Sequence, residues 1–155
     1  VELVGAGGNE LGLAIVGYRF PDQAVDPWDS NALLVDVRVV SPHGTWEVVD
    51  PCLTTWEAAR VASWLTAVAL FPERTPATIA EPNVTMRWVR TSAPRRVALE
   101  VCFELERRPP WAPSVAGAAD LCVDLDVAAD EVLAAAAALR ADLARFPQRG
   151  DDPTL

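Results

Sequence analysis

The chain has 155 residues, a net charge of −9, and no lysine among its 13 basic residues. It is 51 % hydrophobic, which excludes an intrinsically disordered chain and suits one domain with its own core. An acidic chain repels phosphate backbones, so nucleic acid is disfavoured as a direct partner and a basic partner is favoured.

In chain order, residues 11–18, LGLAIVGY, read as a strand, with a short one before it at 2–5. DPWDSN follows as a loop. Residues 33–40 alternate, with Leu33, Val35, Val37 and Val39 on one face and Asp36 and Arg38 on the other. SPHG is a turn, because Pro42 fixes φ and Gly44 permits positive φ. Residues 45–49, TWEVV, form the returning arm, and Pro51 is expected to end it. Thr54 and Glu57 have the spacing of a capping box. The helix after them places Ala58, Val61, Ala62, Leu65, Val68 and Ala69 on one face, with Glu57, Arg60 and Trp64 on its flank. FPERTP breaks it.

The second half opens with a strand after Pro82, Val84, Met86 and Trp88 on one side and Thr85 and Arg87 on the other. TSAP is a turn. Residues 96–106, RVALEVCFELE, give the clearest alternation: Val97, Leu99, Val101, Phe103 and Leu105 face one way, and Arg96, Glu100, Glu104 and Glu106 the other. Residues 107–120 are a Pro- and Gly-rich loop. Residues 121–127 form a strand with Asp124 and Asp126 outward. An Ala-rich helix runs from about 128 to 146 with Val132, Ala136, Leu139, Leu143 and Phe146 inward. The expected fold is α+β: an antiparallel sheet of about six strands with two helices packed on one face, strand-strand-strand-helix twice. Residues 1–155 make one domain, with 147–155 a frayed tail.

The chain offers little for catalysis. His43 is the only histidine and lies in a turn, so no histidine-based triad forms. No phosphate loop, dinucleotide fingerprint or GxSxG elbow is present. The carboxylates fall at alternating strand positions that face water. Asp26, Asp29 and Asn31 lack the spacing of a calcium loop and read as a turn feeding the next strand. Cys52, Cys102 and Cys122 are odd in number and contain no CxxC, which argues against a zinc knuckle or a disulfide framework. They read as small apolar filler in a reducing compartment. No cofactor, no metal and no enzymatic activity are expected. VELVGAGGNE lacks the basic start and apolar run of a signal peptide, and no apolar stretch spans a bilayer. A cytoplasmic location without membrane partners is expected.

Several motifs occur in a fixed order: YRFPDQAVDPWDSN at 18–31, GTWEVVDPCLTTWEAARVASWL at 44–65, EPNVTMRW at 81–88, LEVCFELERRPPW at 99–111 and LARFPQR at 143–149. With these the chain resembles the WapI-type immunity protein family along nearly its whole length. The block running from Trp46 through Asp50, Pro51 and Trp56 to Trp64 and Leu65 carries the most specific part of the resemblance. In the family a bulky residue, commonly Trp, follows the short Asp–Asn turn; Ala32 stands here. The resemblance implies a binding protein that neutralises a toxin domain, often a nuclease, rather than an enzyme.

A nuclease cleft must be basic, so an acidic inhibitor is steered to it. Two surfaces qualify. One is the open sheet face with Asp36, Glu47, Glu100, Glu104, Asp124 and Asp126, diluted by Arg38, Arg87 and Arg96. The other is a loop set around Asp26, Trp28, Asp29 and Trp111. The alternative is an acidic interaction or regulatory domain with an endogenous partner; a small carboxylate-dependent enzyme or ligand-binding domain would instead need a deep pocket with paired carboxylates.

Overall fold

Among the described residues, eight strands form two antiparallel sheets, ordered β1-β2-β3-β4 and β5-β6-β7-β8, with three α-helices. The computed structural model describes residues 1–22, 26–81, 84–89, 93–104, 108–111 and 121–155. Within the first sheet lie β1 (Glu2–Val4), β2 (Glu10–Tyr18), β3 (Ala32–Ser41) and β4 (Gly44–Thr54). The second holds β5 (Thr78–Glu81), β6 (Val84–Val89), β7 (Arg96–Phe103) and β8 (Leu121–Ala128). The helices are α1 (Pro27–Asn31), α2 (Thr55–Leu70) and α3 (Ala129–Arg145). The α+β class is as expected, but each half has four strands before its long helix rather than three.

The added strand in the second half is β5, four residues hidden between two prolines in PATIAEP. In the first half, β4 runs on through Pro51 to Thr54 instead of stopping before it. It can do so because β4 ends the order of its sheet, where one side of the strand needs no ladder donor. A register shift between Leu33 and Leu34 accommodates the passage, with Leu33 opposite Leu53 and Leu34 opposite Pro51. The SPHG turn joins β3 to β4 as expected, with Ser41 opposite Gly44.

One apolar cluster fills the interior and draws on both sheets and both long helices. Leu33, Val35, Val37 and Val39 are all buried, as are Val97, Leu99, Val101 and Phe103. Alternation on two sheets therefore aims at one core. From α2 come Ala58, Val61, Ala62, Leu65 and Val68, and from α3 come Val132, Ala135, Ala136 and Leu139. Arg140 on α3 ties the helices together by donating to Ala62 O at 3.2 Å and Thr66 Oγ1 at 2.9 Å. Trp64 is buried rather than flanking, and its indole donates to Pro76 O at 2.9 Å. Trp88 is half-buried and donates to the same carbonyl at 3.2 Å.

The sheets meet where the turn after β1 lies against β8. Ala6 N donates to Asp126 O at 2.8 Å, and Asn9 Nδ2 donates to Asp124 O at 2.7 Å. Gly5 permits this approach, since a Cβ there would lie 3.2 Å from Leu125 Cα. Leu105 and Glu106 of the expected seventh-strand extension, the motif residues Pro82 and Asn83, Thr91 and Ser92 of the turn, and most of the 107–120 loop lie outside the described residues.

The cysteine expectation is corrected. Cys52 is buried and free, but Cys102 and Cys122 form a disulfide. Antiparallel pairing of β7 and β8 sets them directly opposite, with Cα atoms 4.0 Å apart. A sequence separation of 20 says nothing of that register.

Candidate functional site

The DPWDSN stretch folds as α1, a single turn. The Asp26 carboxylate caps it, accepting from Trp28 N at 2.8 Å and Asp29 N at 3.2 Å. Ser30 Oγ donates to Asp26 O at 2.6 Å. Both bonds go to Asp26 Oδ1, the arrangement of an N-cap.

Asn31 is fully buried and organises the corner. Its Nδ2 donates to Pro27 O at 2.8 Å and Arg149 O at 2.7 Å. Its Oδ1 accepts from Thr55 Oγ1 and from Arg149 N, each at 2.8 Å. Arg149 continues the attachment: its guanidinium lies 3.5 Å from the Tyr18 ring centroid and donates to Phe20 O and Pro21 O. Tyr18 in turn donates its hydroxyl to Pro147 O and meets Phe146 edge-on. Pro147 and Arg149 lie in the stretch expected to fray, and these are the contacts they make.

The neighbouring turn opens α2. Glu57 N donates to Thr54 Oγ1 at 3.3 Å, and Thr54 N to Glu57 Oε2 at 2.6 Å, closing the expected capping box. Arg60 then bridges two carboxylates, 3.3 Å from Glu81 and 3.9 Å from Glu57. Burial raises the pKa of Glu81; the hydrogen bond and charge of Arg60 oppose this, and the Glu57 charge adds to it. The void that Glu81 lines is about 20 Å³, the size of one water and far below a substrate pocket.

Trp28 is 44 % exposed and stands edge-on to Trp56, with ring centroids 5.2 Å apart. Trp111 is exposed too, but it packs against Gly44 and edge-on to Trp46. Trp46 and Thr54 are eight residues apart on one extended strand, which is roughly 26 Å. Asp26, Trp28 and Asp29 therefore come together, while Trp111 lies toward the other end of β4.

The acids of the sheet face are divided between two sheets. Asp36 and Glu47 lie on the first; Asp36 is half-buried, with Oδ1 enclosed and unpartnered among the described residues. Glu47 sits opposite Arg38, which also lies 3.8 Å from Glu10. On the second sheet, Glu100 is 2.8 Å from Arg87 and opposite Asp124, and Asp126 is 2.7 Å from Arg96. Glu104 follows the end of β7. Glu100, Cys102 and Cys122 hold their ligand atoms within 4.8 Å of one another, but the two sulfurs are bonded to each other here.

The frame is antiparallel α+β, with Trp28 and Trp111 exposed on it. The model of the WapI-like immunity protein family matches residues 2–147, and the chain belongs to that family. No curated protein and no solved structure matches it. Among the described residues, no helix is long and apolar enough to cross a membrane.

Sequence reasoning missed two features of this region. Trp56 is 4 % exposed and its Nε1 has no acceptor among the described residues. Asn31 has the local pattern of a turn former but is the buried link to Arg149. The first could be suspected from Trp at the start of a capped helix; the second has no local signal.

Proposed function

We propose that this protein binds and neutralises a cognate toxin domain by covering a basic surface on it, and that it is not itself an enzyme. Membership of the immunity family over residues 2–147 is the observation that carries this reading. The net charge of −9 agrees with it, because a toxin that cuts nucleic acid must present a basic cleft. The same charge disfavours nucleic acid as a direct partner. No bound ion or cofactor is needed for such inhibition. Protection from a nuclease is required in the cytoplasm, although a reducing compartment would keep the Cys102–Cys122 pair as thiols.

The test is co-purification with toxin domains encoded near its gene, paired with co-expression in cells. Binding at nanomolar affinity and rescue of growth are expected. Absence of both would sink the reading and favour the alternative, an acidic regulatory domain with an endogenous partner.

A further inference from the structure

We propose that reduction of the Cys102–Cys122 link turns this face of the second sheet into a site for a thiophilic divalent cation of the Zn²⁺ class, bound by the two thiolates and the Glu100 carboxylate. The inference goes beyond the toxin reading and does not depend on it.

Strand register builds the ligand set. Cys102 and Cys122 stand opposite each other on β7 and β8, and Glu100 stands opposite Asp124 two residues along. Paired positions, and positions two apart on a strand, share a face. Two cysteines and two carboxylates therefore form one block. The ligand atoms of Glu100, Cys102 and Cys122 lie within 4.8 Å of one another, and Glu100 Oε1 is 3.8 Å from Cys102 Sγ. Sulfur and oxygen donors on one tetrahedral Zn²⁺ stand about 3.6 Å apart, so only small side-chain rotations are needed. Water completes the fourth position.

Two features favour a cation over a bare pair of thiols. Glu100 is already oriented, because Arg87 Nη2 donates to both of its oxygens at 2.8 Å. Each carboxylate oxygen keeps a second lone pair, so an ion can bind while Arg87 holds the ligand from outside. The second feature is charge. Two thiolates beside Glu100 and Asp124 put four negative groups on one surface, more than Arg87 offsets. Such crowding holds the thiols protonated until a divalent cation replaces their protons. Cys122 is exposed and gives the ion a way in.

A low-molecular-weight thiol supplies the reduction. Its thiolate attacks one sulfur, the S–S bond breaks, and a second thiol resolves the mixed disulfide. Two electrons and two protons pass to the cysteines, and the two reductant molecules leave joined as a disulfide. Zn²⁺ then binds as both thiol protons go to solvent. Sulfur ligands select it over Mg²⁺ and Ca²⁺. Link and ion use the same sulfurs, so each excludes the other.

The experiment titrates the full chain, reduced, freed of reductant and kept from oxygen, with Co²⁺ and then Zn²⁺. Thiolate bonds to Co²⁺ add a charge-transfer band in the near ultraviolet. The band should saturate at a single ion per chain, vanish when Zn²⁺ is added, and be absent from the chain with its link intact. That comparison uses the wild-type sequence throughout, so it stands even where a variant folds poorly. Cys122→Ser and Glu100→Gln should each weaken Co²⁺ binding at least about tenfold. Cys52→Ala, which removes the buried free cysteine, should leave band and affinity unchanged. Absence of the band in the reduced wild type overturns the site. Undiminished affinity in folded Cys122→Ser or Glu100→Gln overturns it equally, since the ion would then sit elsewhere.

Discussion

Asn31 and Arg149 bind each other from both sides: the Asn31 amide donates to Arg149 O at 2.7 Å and accepts from Arg149 N at 2.8 Å. A side chain here does what a neighbouring strand would do. Asn31 is fully buried, so Asn31→Ala removes four hydrogen bonds at once and leaves the buried Thr55 hydroxyl without its partner. The expected loss is about 3 kcal/mol, or roughly 10 °C in Tm at this chain length. Urea and thermal melts check it; a loss below about 1 kcal/mol would show that the corner relaxes around the gap.

Glu81 makes stability depend on pH. Burial, above all, raises its folded pKa above that of the unfolded chain. Between the two values the folded protein binds more protons, so its contribution is present at lower pH and lost as pH rises through the folded value. Glu81→Gln has no proton to lose, and Arg60 keeps Glu57 at 3.9 Å. Relative to wild type, the variant should therefore gain stability from about pH 4 toward neutrality. Parallel curves of urea midpoint against pH would refute the assignment.

The Cys102–Cys122 link closes a loop of 20 residues between adjacent strands. Reduction should lower stability by about 2–4 kcal/mol through the freedom returned to the unfolded chain. Melts with and without dithiothreitol read this directly. The double variant Cys102→Ser with Cys122→Ser should match the reduced protein, since both lack the link; a difference between them would trace to the serine hydroxyls.

Gly44 adopts φ of +138°, and a Cβ there would sit 3.3 Å from Trp111 Cζ2. Gly44→Ala is expected to destabilise by about 1–3 kcal/mol. It should also disturb the Trp46–Trp111 edge contact, which near-ultraviolet circular dichroism would register. An unchanged spectrum would mean that the ring is held from elsewhere.

If charge steers the encounter with the toxin domain, the association rate should fall steeply with salt while dissociation changes little. Stopped-flow mixing at low and physiological ionic strength separates the two. A flat association rate would leave the acidic surface without that part.

Much of the fold could be read from periodicity. Leu33 to Val39 and Val97 to Phe103 alternate so regularly that one side had to be core. The Thr54–Glu57 box likewise marked where α2 begins. What escaped depends on pairing between distant segments. Cys102 and Cys122 become neighbours only through register, and Asn31 meets Arg149 only when the chain ends converge. Pro51 misled because a proline stops a central strand but not an edge one. Ending the strand there hid the length that separates Trp28 from Trp111, and so two unrelated tryptophans looked like one loop set. β5 was missed because Thr78–Glu81 is too short to show a period.

The Asn31 corner also has a place in time. Its backbone partner lies 118 residues further along the chain, so a ribosome must add all of those residues before that partner exists. Each half can begin its strands early, but the seat of α1 waits for Arg149. A nascent chain that has not reached Arg149 can hold its strands while the Asn31 amide still lacks two of its four hydrogen bonds.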